Sequence, residues 1–120
     1  MTRVTLVAGG DAAAREKAIA ERLSVLQQVP VSLAVILEGG TGMGNEVSFA
    51  PPIQTIRLAP ACPCCVGNLT MRVTLNRILR QPPAHILIGM AQVAHLEALR
   101  KFLTQSPYDQ YLTLTDNLII

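Results

Sequence analysis

The chain has 120 residues, half of them apolar, with ten basic and eight acidic residues that leave a formal net charge of +2. That length accommodates one domain spanning residues 1–120, and charge spread this evenly, with no Lys or Arg run interleaved with aromatic residues, excludes the usual nucleic-acid surface. No apolar stretch is long enough for a signal peptide or a membrane span, so a cytoplasmic protein with no membrane partner is expected.

Tryptophan is absent and only two Tyr and two Phe are present, which leaves Leu, Ile, Val and Ala to build the core. Such a composition suits helices packed on a parallel sheet. Residues 3–8, RVTLVA, form a short apolar run ended by Gly9 and Gly10 and are predicted to be a buried strand. A helix is predicted from Asp11, a capping residue, through DAAAREKAIAERLSVLQQ, where Ile19, Leu23 and Leu26 recur at helical spacing until Pro30. Residues 31–37, VSLAVIL, read as a second, fully buried strand, followed by a glycine-rich loop, EGGTGMGNE, at residues 38–46.

A third strand is predicted in IQTIRLAP, with Ile53, Ile56 and Leu58, and it delivers the chain to Cys62, Cys64 and Cys65. The next helix is expected to be capped by Asn68 or Thr70 and to turn Met71, Val73, Leu75, Ile78 and Leu79 to the core, ending before Pro82 and Pro83. HILIGM, residues 85–90, is a fourth strand. A last helix at residues 92–104 leads to YLTLTDNLII, whose apolar end is expected to be a final strand or a docked tail. Strands alternating with helices through short turns imply crossover units. The predicted fold is α/β, a mainly parallel sheet of about five strands with helices on both faces, and ligands gather at the carboxyl ends of such strands.

Three thiols crowd into residues 62–65 and no other cysteine exists. In a reducing compartment an odd, clustered set points to metal or redox chemistry. Thiolates are soft donors suited to zinc or copper(I), and Cys62, Cys64 and Cys65 are the candidate ligands, with Pro63 stiffening the loop. The motif lacks a fourth ligand; His85, His95, Glu46, water or a second subunit are the candidates. Two other readings stand beside it: small cysteines packing against the sheet, and a Cys62–Cys65 disulfide.

The turn at Gly9 has the position of a phosphate loop but not its residues. A P-loop needs Gly-x-x-x-x-Gly-Lys-[Ser/Thr], whereas Ala14 stands at the second glycine, Arg15 at the lysine and Glu16 at the hydroxyl. Gly9, Gly10 and Arg15 therefore remain only as vestigial nucleotide-binding candidates, with GTP and magnesium not expected. The glycine run at residues 38–46 lacks the dinucleotide fingerprint, and no Ser-His-Asp order or carboxylate pair suggests catalysis.

Taken together, VTLVAGGDAAAREKAIAERL, ILEGGTGMG, Ala61-Cys62-Pro63-Cys64-Cys65, VGNLTMRVTLNRIL and HILIGMAQVA resemble the successive segments of the amino-terminal P-loop domain of the CobW-like GTP-dependent metallochaperones. That family has Gly-x-x-Gly-x-Gly-Lys-Thr-Thr at its first turn, Gly-Cys-x-Cys-Cys after its third strand and an acidic residue after its fourth. Here Ala12, Ala14, Arg15, Glu16 and Gly89 depart from the pattern, and the guanine-specifying segment is not reached. The resemblance implies a degenerate, shortened P-loop-like domain that does not hydrolyse GTP and retains the thiol motif for zinc, in holding metal or passing it to a protein partner. The alternatives are a homodimerising interaction module that covers the apolar surface around Leu118, Ile119 and Ile120, and a residual GTP-binding protein.

Overall fold

The computed structural model describes residues 2–28, 31–38, 53–58, 67–90, 93–105, 107–115 and 117–120. Within them the chain forms strand β1 (Thr2–Ala8), helix α1 (Ala12–Leu26), β2 (Leu33–Glu38), β3 (Gln54–Leu58), α2 (Gly67–Ile78), β4 (His85–Met90), α3 (Leu96–Leu103), β5 (Leu112–Leu114) and β6 (Leu118–Ile119). Short 3-10 turns precede α3 at Val93–His95 and β5 at Tyr108–Gln110. The six strands share one sheet in the order β3-β2-β4-β1-β5, with β6 also on β1. All the pairings are parallel. The architecture is thus the expected α/β class, compatible with a P-loop-like fold, and the apolar end of the chain supplies two short strands.

The order explains the layers. From β1 to β2 the chain moves one way across the sheet, and from β3 to β4 and β4 to β5 it moves the other way. Right-handed crossovers therefore send α1 to one face and α2 and α3 to the opposite face. Side chains follow the two-residue alternation of strands. Val4, Leu6, Ala8, Ile36, Ile86, Ile88 and Met90 pack beneath α2 and α3 with Leu75, Ile78, Leu99 and Leu103. Val7, Val35, Leu37 and Leu87 pack beneath α1 with Ile19 and Leu23. Strands β2 and β4 are apolar on both faces because both faces are covered, which is why their sequences read as continuous runs rather than alternating ones.

Two details of α2 differ from the sequence reading. The helix begins at Gly67, upstream of both Asn68 and Thr70, so neither residue precedes it as a cap. Val73 is 56% exposed. Met71, Leu75, Ile78 and Leu79 lie at i, i+4, i+7 and i+8 and form one stripe, whereas Val73 is two residues from Met71, about 200° round the helix, and faces outward.

Candidate functional site

Strands β1 and β4 are neighbours, and their following helices lie on opposite faces. The crevice between their carboxyl ends is the topological switch point where ligands enter open α/β sheets. The β1 turn there is made by Gly9 and Gly10, at φ +89° and +60°, a left-handed conformation that costs L residues with a Cβ about 1–2 kcal/mol. Asp11 then caps α1, its Oδ1 accepting from the Ala14 amide at 2.7 Å. Asp11 was expected to cap, and its carboxylate also suits the positive end of the helix.

Arg15 is buried, 7% exposed. Its Nη1 donates to the carbonyl oxygens of Gly9 at 3.0 Å and Gly10 at 2.7 Å. A phosphate loop needs amides and a cation turned toward the ligand; here the cation is turned onto the carbonyls of its own turn. The far side of the turn is filled as well. The Ile120 amide donates to the Ala8 carbonyl at 2.9 Å, so the end of β6 continues along β1. A Cβ on Gly10 would meet Ile120 Cγ2 at 2.7 Å, and one on Gly9 would meet the Ile120 carbonyl at 3.0 Å and Val93 Cγ2 at 3.2 Å.

This closing segment is fastened from below. Arg100 Nη1 on α3 donates to the Thr115 carbonyl at 3.0 Å and to Asn117 Oδ1 at 2.9 Å, and the Thr115 amide donates to the Val4 carbonyl at 2.8 Å. Gly89, which stands where the resembled family carries an acid, faces α1. A Cβ there would lie 3.1 Å from Ile19 Cδ1 and 3.2 Å from Leu37 Cδ2, so a carboxylate at this position would enter an apolar cluster. Among the described residues this turn offers no cradle for a nucleotide's phosphates: the cation is engaged, Ile120 packs on the turn, and Gly89 is a contact between helix and sheet.

Cys62, Cys64 and Cys65 lie outside the described residues, as do Glu46 and nearly all of the glycine run at 38–46. Their flanks are placed. Strand β3 ends at Leu58 and α2 begins at Gly67, so the thiol segment is entered and left at the carboxyl edge of the sheet. Strand β3 is the outermost strand, three positions from β1, or about 14 Å at the usual strand spacing.

The histidine candidates separate. The backbone of His95 is in the 3-10 turn after β4, at the carboxyl edge. His85 begins β4, level with Arg3 and Leu33 at the amino edge, about 17 Å of strand away. Burial first, then the charges of Arg3 and Arg22, hold its imidazole below the ordinary value. His85 therefore lies at the opposite edge from Leu58 and Gly67, the described ends that flank the thiol segment. Among the described residues no three His, Cys, Asp or Glu side chains converge in a metal-holding group, and no helix is long and apolar enough to cross a membrane.

The sequence reading missed the inward turn of Arg15 and its partnership with the glycine carbonyls. Local sequence carries no signal for it: Arg15 stands in the first turn after Gly9-Gly10-Asp11, where a phosphate-binding cation would stand as well. Comparison of the chain with family models, with curated proteins and with solved structures returned no match.

Proposed function

We propose that this chain is a CobW-like domain that has lost GTP hydrolysis and binds a transition metal, zinc first, through Cys62, Cys64 and Cys65, in holding the metal or passing it to a partner. The observation that supports the reading is that the three thiols fall in sequence between Leu58, the end of β3, and Gly67, the start of α2, two ends that lie at the carboxyl edge of the sheet, where ligands gather in such folds. Three thiolates suit a soft cation, and a motif with three protein ligands leaves a coordination position through which a metal can be handed on. Zinc here is cargo. The engaged Arg15 and the filled Gly9–Gly10 turn support the non-hydrolysing half of the proposal.

Titration of the reduced protein with zinc against a chromophoric chelator tests the metal half. The expected result is stoichiometric competition that disappears when Cys62, Cys64 and Cys65 are all replaced by Ser; equal competition by the variant overturns it. Calorimetry with GTP and magnesium is expected to give no saturable heat.

A second reading, a homodimerising module, is favoured by one feature. Val93, Ile119 and Ile120 are all exposed; Val93 and Ile120 both lie against Gly9, and Ile119 pairs with Ala8 just before it. Light scattering over a range of concentrations decides it: a constant monomer mass ends that reading.

A further inference from the structure

The amino edge of the molecule carries a second candidate site, unrelated to the thiols. Between Val47 and Leu96 the chain contains no Asp or Glu, yet it carries Arg57, Arg72, Arg77 and Arg80. Three of these arginines lie on or just after α2, and Arg72, Asn76, Arg77 and Arg80 are all exposed. From Arg72 to Arg80 the helical rise is about 12 Å. The helix dipole accounts for a cation in the last turn, where Arg77 sits. It does not account for Arg72, which lies in the first half of the helix.

Arg72 is nonetheless fixed. Its guanidinium lies over the Phe102 ring, 5.6 Å from the centroid. Phe102 meets the Tyr108 ring at 5.2 Å with the planes tilted by 50°. The Tyr108 hydroxyl in turn donates to Asn76 Oδ1 at 3.2 Å. An aromatic face orients a cation without cancelling its charge, so this ladder from α2 through α3 to the 3-10 turn fixes Arg72 with its charge kept; the one carboxylate of that 3-10 turn is Asp109, against the three arginines. Neither Arg77 nor Arg80 is ion-paired among the described residues.

The row ends at a cleft. A hollow of about 240 Å³ lies between Asn76, Arg80, Pro107 and Tyr108. It shares Leu79 and Tyr111 with a larger cleft of about 480 Å³ floored by Pro82, Pro83 and Ala84. Together they reach the size of ordinary ligand sites. Tyr111 is 52% exposed over the junction, an amphipathic anchor of the kind enriched at recognition surfaces.

We propose that this surface docks an acidic peptide segment of a protein partner, its carboxylates along Arg72, Arg77 and Arg80 and an apolar side chain in the cleft beside Leu79 and Tyr111. Charge complementarity selects an anion. The geometry selects a chain over a small anion, because a small molecule in the cleft meets Arg80 alone, whereas an extended peptide at about 3.3 Å per residue follows the whole row with four residues or so. Bidentate pairing of guanidinium with carboxylate supplies direction to the contact.

The test is fluorescence anisotropy of a fluorescein-labelled peptide of alternating Glu and Leu, titrated with the full chain. Saturable binding that weakens with added salt is expected, with no saturation over the same range by the Gln-Leu counterpart. The exposed pair Arg77→Gln with Arg80→Gln is expected to weaken binding about tenfold, as two surface charge contacts would. Tyr111→Ala is expected to weaken it at unchanged salt dependence, since it removes the cleft contact and no charge. Far-UV circular dichroism of each variant checks that the fold is kept. The proposal is overturned if the acidic peptide does not saturate, if the Gln-Leu peptide binds equally, or if the double Arg variant binds like the parent. Tighter binding of a single-stranded oligonucleotide or an anionic vesicle, displacing the peptide, also overturns it.

Discussion

Arg15 illustrates how one side chain can clamp a strand-to-helix turn from within. Its two charge-assisted hydrogen bonds satisfy a buried carbonyl at Gly9 and a partly buried one at Gly10, and removing the donor strands both acceptors. Arg15→Ala is therefore expected to cost about 2–3 kcal/mol of stability, read as a lower urea midpoint at unchanged slope; a loss under about 0.5 kcal/mol would mean the guanidinium holds nothing. His85 gives a residue-scale pH effect. Its imidazole is held below the ordinary value by burial and by Arg3 and Arg22, so the unfolded chain takes up the proton first as pH falls. Stability is then full above the unfolded imidazole range, declines as pH drops through about 6.5, and levels off once the folded form is protonated as well. The thermal midpoint should show this decline between neutral and mildly acidic pH, and His85→Gln should flatten it; a slope unchanged in the variant would assign the effect to other groups.

Elements carried by strong local signals agree between sequence and structure. HILIGM is β4 to the residue, because a short apolar run bounded by Pro83 and by a turn has one reading. The start of α1 was legible too, since Asp11 offers the carboxylate that the first free amides require. Asp11→Ala is expected to cost about 1 kcal/mol, measurable by denaturant unfolding, and Asp11→Asn should restore most of it; equal loss in both would point to charge rather than capping. Helix α2 was less legible. Its amino end carries no cap signal ahead of Gly67, and apolar content alone enrolled Val73, although Met71, Leu75, Ile78 and Leu79 already fix the buried stripe. Orientation of a long cation such as Arg15 was not legible at all. Nothing local distinguishes an arginine turned to a phosphate from one folded back on carbonyls until the neighbouring strand β6 is in place.

At the scale of the whole molecule the lateral order of strands is what sequence leaves open, because β4 enters between β2 and β1 through contacts remote in the chain. That insertion sets β4 at the centre of the sheet, where, like β1 and β2, it serves both layers. Leu87 points into the cluster under α1 and Ile88 into the cluster under α2 and α3, each about 1% exposed. If the sheet couples the layers, truncation on either face weakens one cooperative unit. Leu87→Ala and Ile88→Ala are each expected to lose about 2–5 kcal/mol, a large share of the stability of a domain this size. Both should shift a single transition whose slope stays constant, whether followed by far-UV circular dichroism or by the fluorescence of Tyr108 and Tyr111. Separated transitions in Leu87→Ala alone would show that α1 and the Gly9–Gly10 turn it carries unfold apart from the rest. The metal site proposed at the carboxyl edge would then rest on a layer that opens by itself, and not on the same cooperative sheet that supports the arginines of α2.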